Sequence, residues 1–107
     1  MPEMITVDEI QKQVSQYFNI NCDILKSKVR SKDAMLPKHI AMYLCRELTD
    51  FSLKKISNDF GKVDKTTVTH ACSKIKDMIT NDDQICGVVK DLTRMLFNKS
   101  SKTNTAF

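Results

Sequence analysis

At 107 residues, with 41% hydrophobic and 28% charged residues, the chain can build one compact core and is too short for two. Two glycines and two prolines exclude turn-rich sheet architectures and favour long helices, so an all-α fold is expected. The net charge of +4 suits a nucleic-acid partner without demanding one.

The opening Met1-Pro2-Glu3-Met4-Ile5-Thr6 lacks the basic region and apolar run of a signal peptide, and no stretch approaches the length of a membrane span. A cytoplasmic setting is therefore expected. Cys22, Cys45, Cys72 and Cys86 form no C-x-x-C pair. The last three fall on the apolar side of predicted helices, which favours buried free thiols over zinc, and no metal is expected.

Residues 1–5 read as an N-terminal extension. Thr6 followed by Glu9 is a capping-box pattern, and Val7, Ile10, Val14, Tyr17 and Phe18 recur at helical spacing, which predicts a first helix over 7–18. From Asn19 to Leu36 the periodicity is lost and Lys26, Lys28, Arg30 and Lys32 appear, so this segment reads as a basic loop with one short apolar turn at Ile24-Leu25. Pro37 suits the first position of a helix, and Ile40, Ala41, Leu44, Cys45 and Leu48 give the buried face of a second helix over about 37–49.

Ser52 can cap a short third helix in which Leu53, Ile56 and Phe60 face one way, with Gly61 as its left-handed stop. Asp64 is the next N-cap, followed by the helical stripe Val68, Ala71, Cys72, Ile75, Met78 and Ile79. Asn81, Asp82 and Asp83 interrupt that stripe and can cap a last helix with a core side of Ile85, Val88, Val89, Leu92, Met95 and Leu96. The polar stretch over residues 98–107 reads as a disordered tail. A folded domain over 6–97 results.

A short helix, a glycine-containing turn and a longer helix make a helix-turn-helix, whose second helix presents its first residues to base edges in the major groove. The stripe on the last-named helix turns Thr66, Thr69, His70, Ser73 and Asp77 outward, with Lys65 and Thr67 on the flanks. Threonine methyls can meet thymine methyls, aspartate can accept from cytosine N4, and the free backbone donors of a helix start can hold a phosphate. The same Asp-Lys-Thr-Thr also reads as a plain N-cap and solvated first turn, and His70 as a surface histidine or a phosphate partner. Arg30, in a basic loop, could enter a narrow minor groove or be merely solvated.

These residues carry a resemblance. Phe60-Gly61-Lys62-Val63-Asp64-Lys65-Thr66-Thr67-Val68-Thr69-His70-Ala71 resembles the C-terminal signature of the bacterial initiator DnaA family, commonly F-G-G-R-D-H-T-T-V-x-H-A. The likeness extends through the basic loop at Ser27 to Lys32, Pro37 to Leu48, and Ser52-Leu53-Lys54-Lys55-Ile56. It implies a Trp-repressor-like helix-turn-helix that binds double-stranded DNA at replication-origin boxes. Asp64, Lys65, Thr66 and Thr67 would start the recognition helix, with Thr69 and His70 beyond them. Lys28, Arg30 and Lys32 would form the basic loop, with Arg30 in the minor groove, while His70, Thr49, Ser52 and Lys54 would meet the DNA backbone.

The departures from the family pattern are Lys62 for a Gly, Val63 for an Arg and Lys65 for a His, so the preferred DNA sequence is open at those contacts. No G-x-x-x-x-G-K-[ST] loop occurs, so the family's ATP-hydrolysing module is not in this chain, and ATP is expected only for such a separate module. No cofactor is expected here, and no constellation of nucleophile and base suggests an enzyme. The alternatives are a stand-alone DNA-binding regulator or a protein-interaction module meeting other initiator domains or regulatory proteins, for which Met95, Leu96 and Phe97 could supply an apolar patch.

Overall fold

The computed structural model describes the backbone of residues 5–26 and 32–100 and the side chains of residues 5–26 and 34–97. Among these residues there are six helices and no strand: α1 (Val7–Phe18), α2 (Cys22–Lys26), α3 (Lys32–Leu48), α4 (Leu53–Asp59), α5 (Lys65–Asn81) and α6 (Asp83–Ser100). The fold is all-α, as expected.

Helix α1 begins as its sequence dictates. The Glu9 amide donates to Thr6 Oγ1 at 3.1 Å and the Thr6 amide to Glu9 Oε1 at 3.2 Å, closing the capping box. Ile5 just outside the cap and Ile10 within the helix are both buried, so Ile5 belongs to the core rather than to an extension. Asn19 ends the helix in the left-handed conformation at φ 56°.

Two parts of the expected basic loop are helical. Asn21 starts α2, its side chain accepting from the Asp23 amide at 2.9 Å, and Leu25 is completely buried. Five residues are too few to show a helical period, which is why only an apolar turn is visible in the sequence. Helix α3 starts at Lys32, so Pro37 lies inside it rather than at its first position. Proline there removes only the bond to the carbonyl four residues back, close to the helix start, and the helix formers Ala34, Met35 and Leu36 carry the helix through. Lys32 is thus the first residue of α3, while Lys28 and Arg30 lie outside the described residues.

Helix α3 is the axis of the core, packing against every other helix. Its Ile40, Ala41, Leu44 and Cys45 are buried together with Val14 of α1, Ile56 of α4, Val68, Ala71 and Ile75 of α5, and Leu92 and Leu96 of α6. Burial drives the Cys45 thiol well above its ordinary range and pushes Cys72 up to about 11. Both are neutral packing groups at neutral pH, and Cys72 Sγ donates weakly to the Met42 carbonyl at 3.7 Å. Gln11 and Ser15 are buried polar residues on the α1 stripe. Gln11 Nε2 donates to the Asp59 carbonyl at 2.9 Å, satisfying an open carbonyl at the end of α4.

Only Asp82 separates α5 from α6. Its amide donates to the Met78 carbonyl at 2.7 Å and its side chain accepts from the Gln84 amide at 2.9 Å, so one aspartate both closes one helix and starts the next. Along α6, Ile85, Leu92 and Leu96 are buried, but Met95, expected in the core, is 39% exposed and Phe97 is 49% exposed. Leu96, one residue further on, is buried, so Met95 lies on the flank of the buried face rather than beyond the core, and α6 continues to Ser100, past the expected start of the tail. The remaining tail residues, 101–107, lie outside the described residues. No helix among the described residues is long and apolar enough to cross a membrane, and no group of three metal-ligating side chains converges there.

The α3–α5 contact carries a titrating group. His39 on α3 is half-buried, and its imidazole is held below the ordinary 6.5 first by burial and then by the nearby charges of Lys74 and Lys38. The unfolded chain therefore binds a proton more readily than the folded one. Stability is complete above the ordinary histidine value and falls as the pH drops below it toward the lowered folded value. Urea unfolding should show a loss as the pH falls from neutral through the ordinary histidine range that His39→Gln reduces. An unchanged slope in the variant would remove His39 as its source.

Candidate nucleic-acid interface

Helices α4 and α5 form the helix-turn-helix. Ser52 caps α4 by accepting from the Lys55 amide at 3.1 Å, and Phe60, fully buried, ends it. Gly61 then turns the chain at φ 93°, and the Val63 amide reaches back to the Ser57 carbonyl at 3.1 Å. Lys62 follows at φ 59°, a left-handed conformation that costs a residue with a Cβ about 1 to 2 kcal/mol. Val63 packs against the core, so the turn is anchored by Phe60 and Val63 on either side of its two left-handed residues.

Helix α5 starts at Asp64 as expected, but not by a side-chain cap. The Asp64 carbonyl accepts from the Thr67 and Val68 amides at 2.9 and 3.4 Å, whereas its carboxylate makes no capping bond. An aspartate at an N-cap ordinarily folds back on the helix start. Here the carboxylate and the first amides of α5 are left available to a partner.

Burial of Val68, Ala71 and Ile75 fixes the rotation of α5, and Asp64, Lys65, Thr66, Thr67, Thr69 and His70 are all exposed. They lie on consecutive turns of one helix end, as the stripe predicts. Thr69 is the one with an internal commitment, its hydroxyl donating to the Lys65 carbonyl at 3.2 Å, which leaves its methyl as the outward feature. Ser73 and Asp77 extend the exposed face further along the helix.

The backbone-contact candidates divide. Ser52 and Lys54 are exposed at the start of α4, and the Ser52 hydroxyl, used as an acceptor in its cap, keeps its proton for a phosphate. Thr49 is half-buried, and its hydroxyl donates to the Cys45 carbonyl while accepting from the Phe51 amide, so in this rotamer its proton is spent inside the fold. Lys55, next to Lys54, is tied to Asp59 at 3.1 Å and lies 5.7 Å from the centre of the Phe51 ring. Its sequence neighbour Lys54 is the freer cation. That difference has no signal in the sequence beyond the i,i+4 spacing of Lys55 and Asp59.

Against this geometry the sequence comparison is decisive. Residues 7–75, which run from α1 through the buried half of α5, match the family described as the bacterial dnaA protein helix-turn-helix. The chain belongs to the bacterial DnaA helix-turn-helix family. It is also 39% identical over 98 residues to the chromosomal replication initiator protein DnaA of Treponema denticola, an alignment covering 92% of this chain and 21% of that protein. The chain thus spans about a fifth of the length of that DnaA. The matched part is the helix-turn-helix and not an ATPase, in keeping with the lack of a phosphate-binding G-x-x-x-x-G-K-[ST] loop.

Proposed function

We propose that this chain binds double-stranded DNA sequence-specifically at replication-origin boxes of the DnaA type, supporting initiation or regulation of chromosomal replication. The observation that supports this most is the start of α5. An uncapped Asp64 carboxylate, the cation of Lys65 and the hydroxyl-bearing Thr66 and Thr67 stand exposed on a helix whose opposite face is buried against α3. In a helix-turn-helix, the first turn of the second helix is the part that meets base edges.

In this reading Asp64 and Thr66 read bases, Lys65 and His70 hold phosphates, and Ser52 and Lys54 hold the strand crossed by α4. Arg30, with Lys28 and Lys32, would reach the adjacent minor groove. That part of the proposal rests on the resemblance of the basic loop. The exposed Met95 and Phe97 on α6 leave room for a protein partner as well.

The test is selection of bound sequences from a random duplex pool, followed by affinity measurements on the best and a scrambled duplex across a salt series. The expected result is one enriched box and a steep fall of affinity with salt. Binding to all duplexes alike would refute box recognition, and salt-independent or absent binding would refute the DNA reading itself.

A further inference from the structure

Lys62 occupies a position where glycine would be at no steric disadvantage, since at φ 59° its Cβ crowds the following carbonyl. Among the described residues nothing repays the crowding. Phe60 is buried, Val63 packs against the core and its amide is bonded to Ser57, while Lys62 itself is exposed. Lys62 makes no salt bridge or hydrogen bond with any described residue. This contrasts with Lys55 in the same unit, whose ammonium is held by Asp59.

What the position supplies is placement. Lys62 stands at the joint of α4 and α5, two residues before the exposed Asp64. When the first helix of such a unit crosses the DNA backbone and the second enters the major groove, the joint between them runs along the groove edge, where the phosphates are. A free ammonium there meets the densest negative charge of the duplex.

We propose that Lys62 is a phosphate ligand, an added cation at the groove edge held in a left-handed turn at a cost to the fold. This rests on the reading of α4 and α5 as a helix-turn-helix on duplex DNA and adds to it a contact that reading does not require. The contact is to backbone, so it strengthens binding to all sequences and leaves base preference unchanged.

The experiment compares the parent with Lys62→Gly and Lys62→Asn on duplexes of random sequence over a salt series, together with thermal unfolding of all three. Both replacements tolerate a left-handed backbone and neither carries charge. The expected result is a higher melting midpoint for Lys62→Gly and, for both variants, affinity weaker by about fivefold at low salt with a salt slope shallower by about one. Parent-like affinity and slope in both variants, with the parent still binding steeply with salt, would overturn the Lys62 contact and leave the DNA reading intact. A parent without salt-dependent binding would overturn both. A Lys62→Gly variant less stable than the parent would overturn the claim that lysine sits there at a structural cost.

Discussion

Replacing Phe60 by alanine is expected to destabilise the fold by about 3 to 5 kcal/mol, the range for emptying a fully buried aromatic site. Phe60 is completely buried, ends α4, and immediately precedes the left-handed Gly61 and Lys62, so its ring is what presses the turn onto the core. Against a total stability of about 5 to 15 kcal/mol for an ordinary single domain, the loss is a large fraction of the whole. For a chain of this size it should lower the melting midpoint by more than about 10 °C. Phe60→Leu keeps an apolar filling and should cost distinctly less. Urea unfolding of both variants checks this, and a loss below about 1 kcal/mol in Phe60→Ala would show that the site collapses around the deletion. DNA binding of Phe60→Ala should fall as the protein unfolds and as the turn that sets the start of α5 loosens.

The second large effect concerns discrimination rather than stability. Asp64→Asn is expected to narrow the affinity gap between the preferred duplex and a scrambled one by about 1 to 3 kcal/mol, the value of one good base contact. Asparagine keeps the size and one acceptor but loses the carboxylate's paired acceptors for a base donor. The carboxylate makes no capping bond, so even Asp64→Ala should cost less stability than the about 1 kcal/mol of a bonded cap. Lys65→Ala should act differently, weakening all duplexes about equally and making the salt slope shallower by about one. Affinities of both variants on both duplexes across salt decide the matter. A shifted base preference in Lys65→Ala, together with an intact one in Asp64→Asn, would reverse the two roles.

The elements that were legible in the sequence are those whose signal is local and repeated. The Thr6–Glu9 box, the α1 stripe, the Ser52 cap, Gly61 and the long stripe of α5 each state their structure within a few residues. The burial of Val68, Ala71 and Ile75 alone dictates which side chains of α5 face outward, which made that part of the interface readable from periodicity. What escaped was decided by packing at a distance. Helix α2 is too short to have a period and is secured by the burial of Leu25. The first turn of α3 runs upstream of Pro37 because a proline near a helix start removes a single bond, so it can lie inside as well as at the boundary.

The same distinction separates the readable and unreadable parts of the interface. That Asp64 precedes α5 is local, whereas the freedom of its carboxylate depends on the route of the preceding turn. Thr49 looks like any surface threonine in the sequence, and only the end of α3 shows its hydroxyl turned to the Cys45 carbonyl. Met95 is apolar and three residues from the buried Leu92, but Leu96 takes the core position and leaves Met95 on the flank, a choice made by the rotation of α6 in the fold. Lys62 reads as any lysine beside a turn glycine, and its strained conformation is visible only in the backbone.

The amide of Gln11 on the Asp59 carbonyl changes what counts as the smallest transferable reader. By sequence, the helix-turn-helix could be cut out as the stretch from Ser52 to Asn81 and grafted elsewhere. Yet the last turn of its first helix is finished by a side chain from α1, more than forty residues upstream, so an excised piece would carry an open carbonyl beside the turn that aims α5. Shuffling this module between proteins therefore means moving α1 with it, and a swap that keeps the turn but replaces Gln11 with an apolar residue would transplant the letters of the reader without its brace.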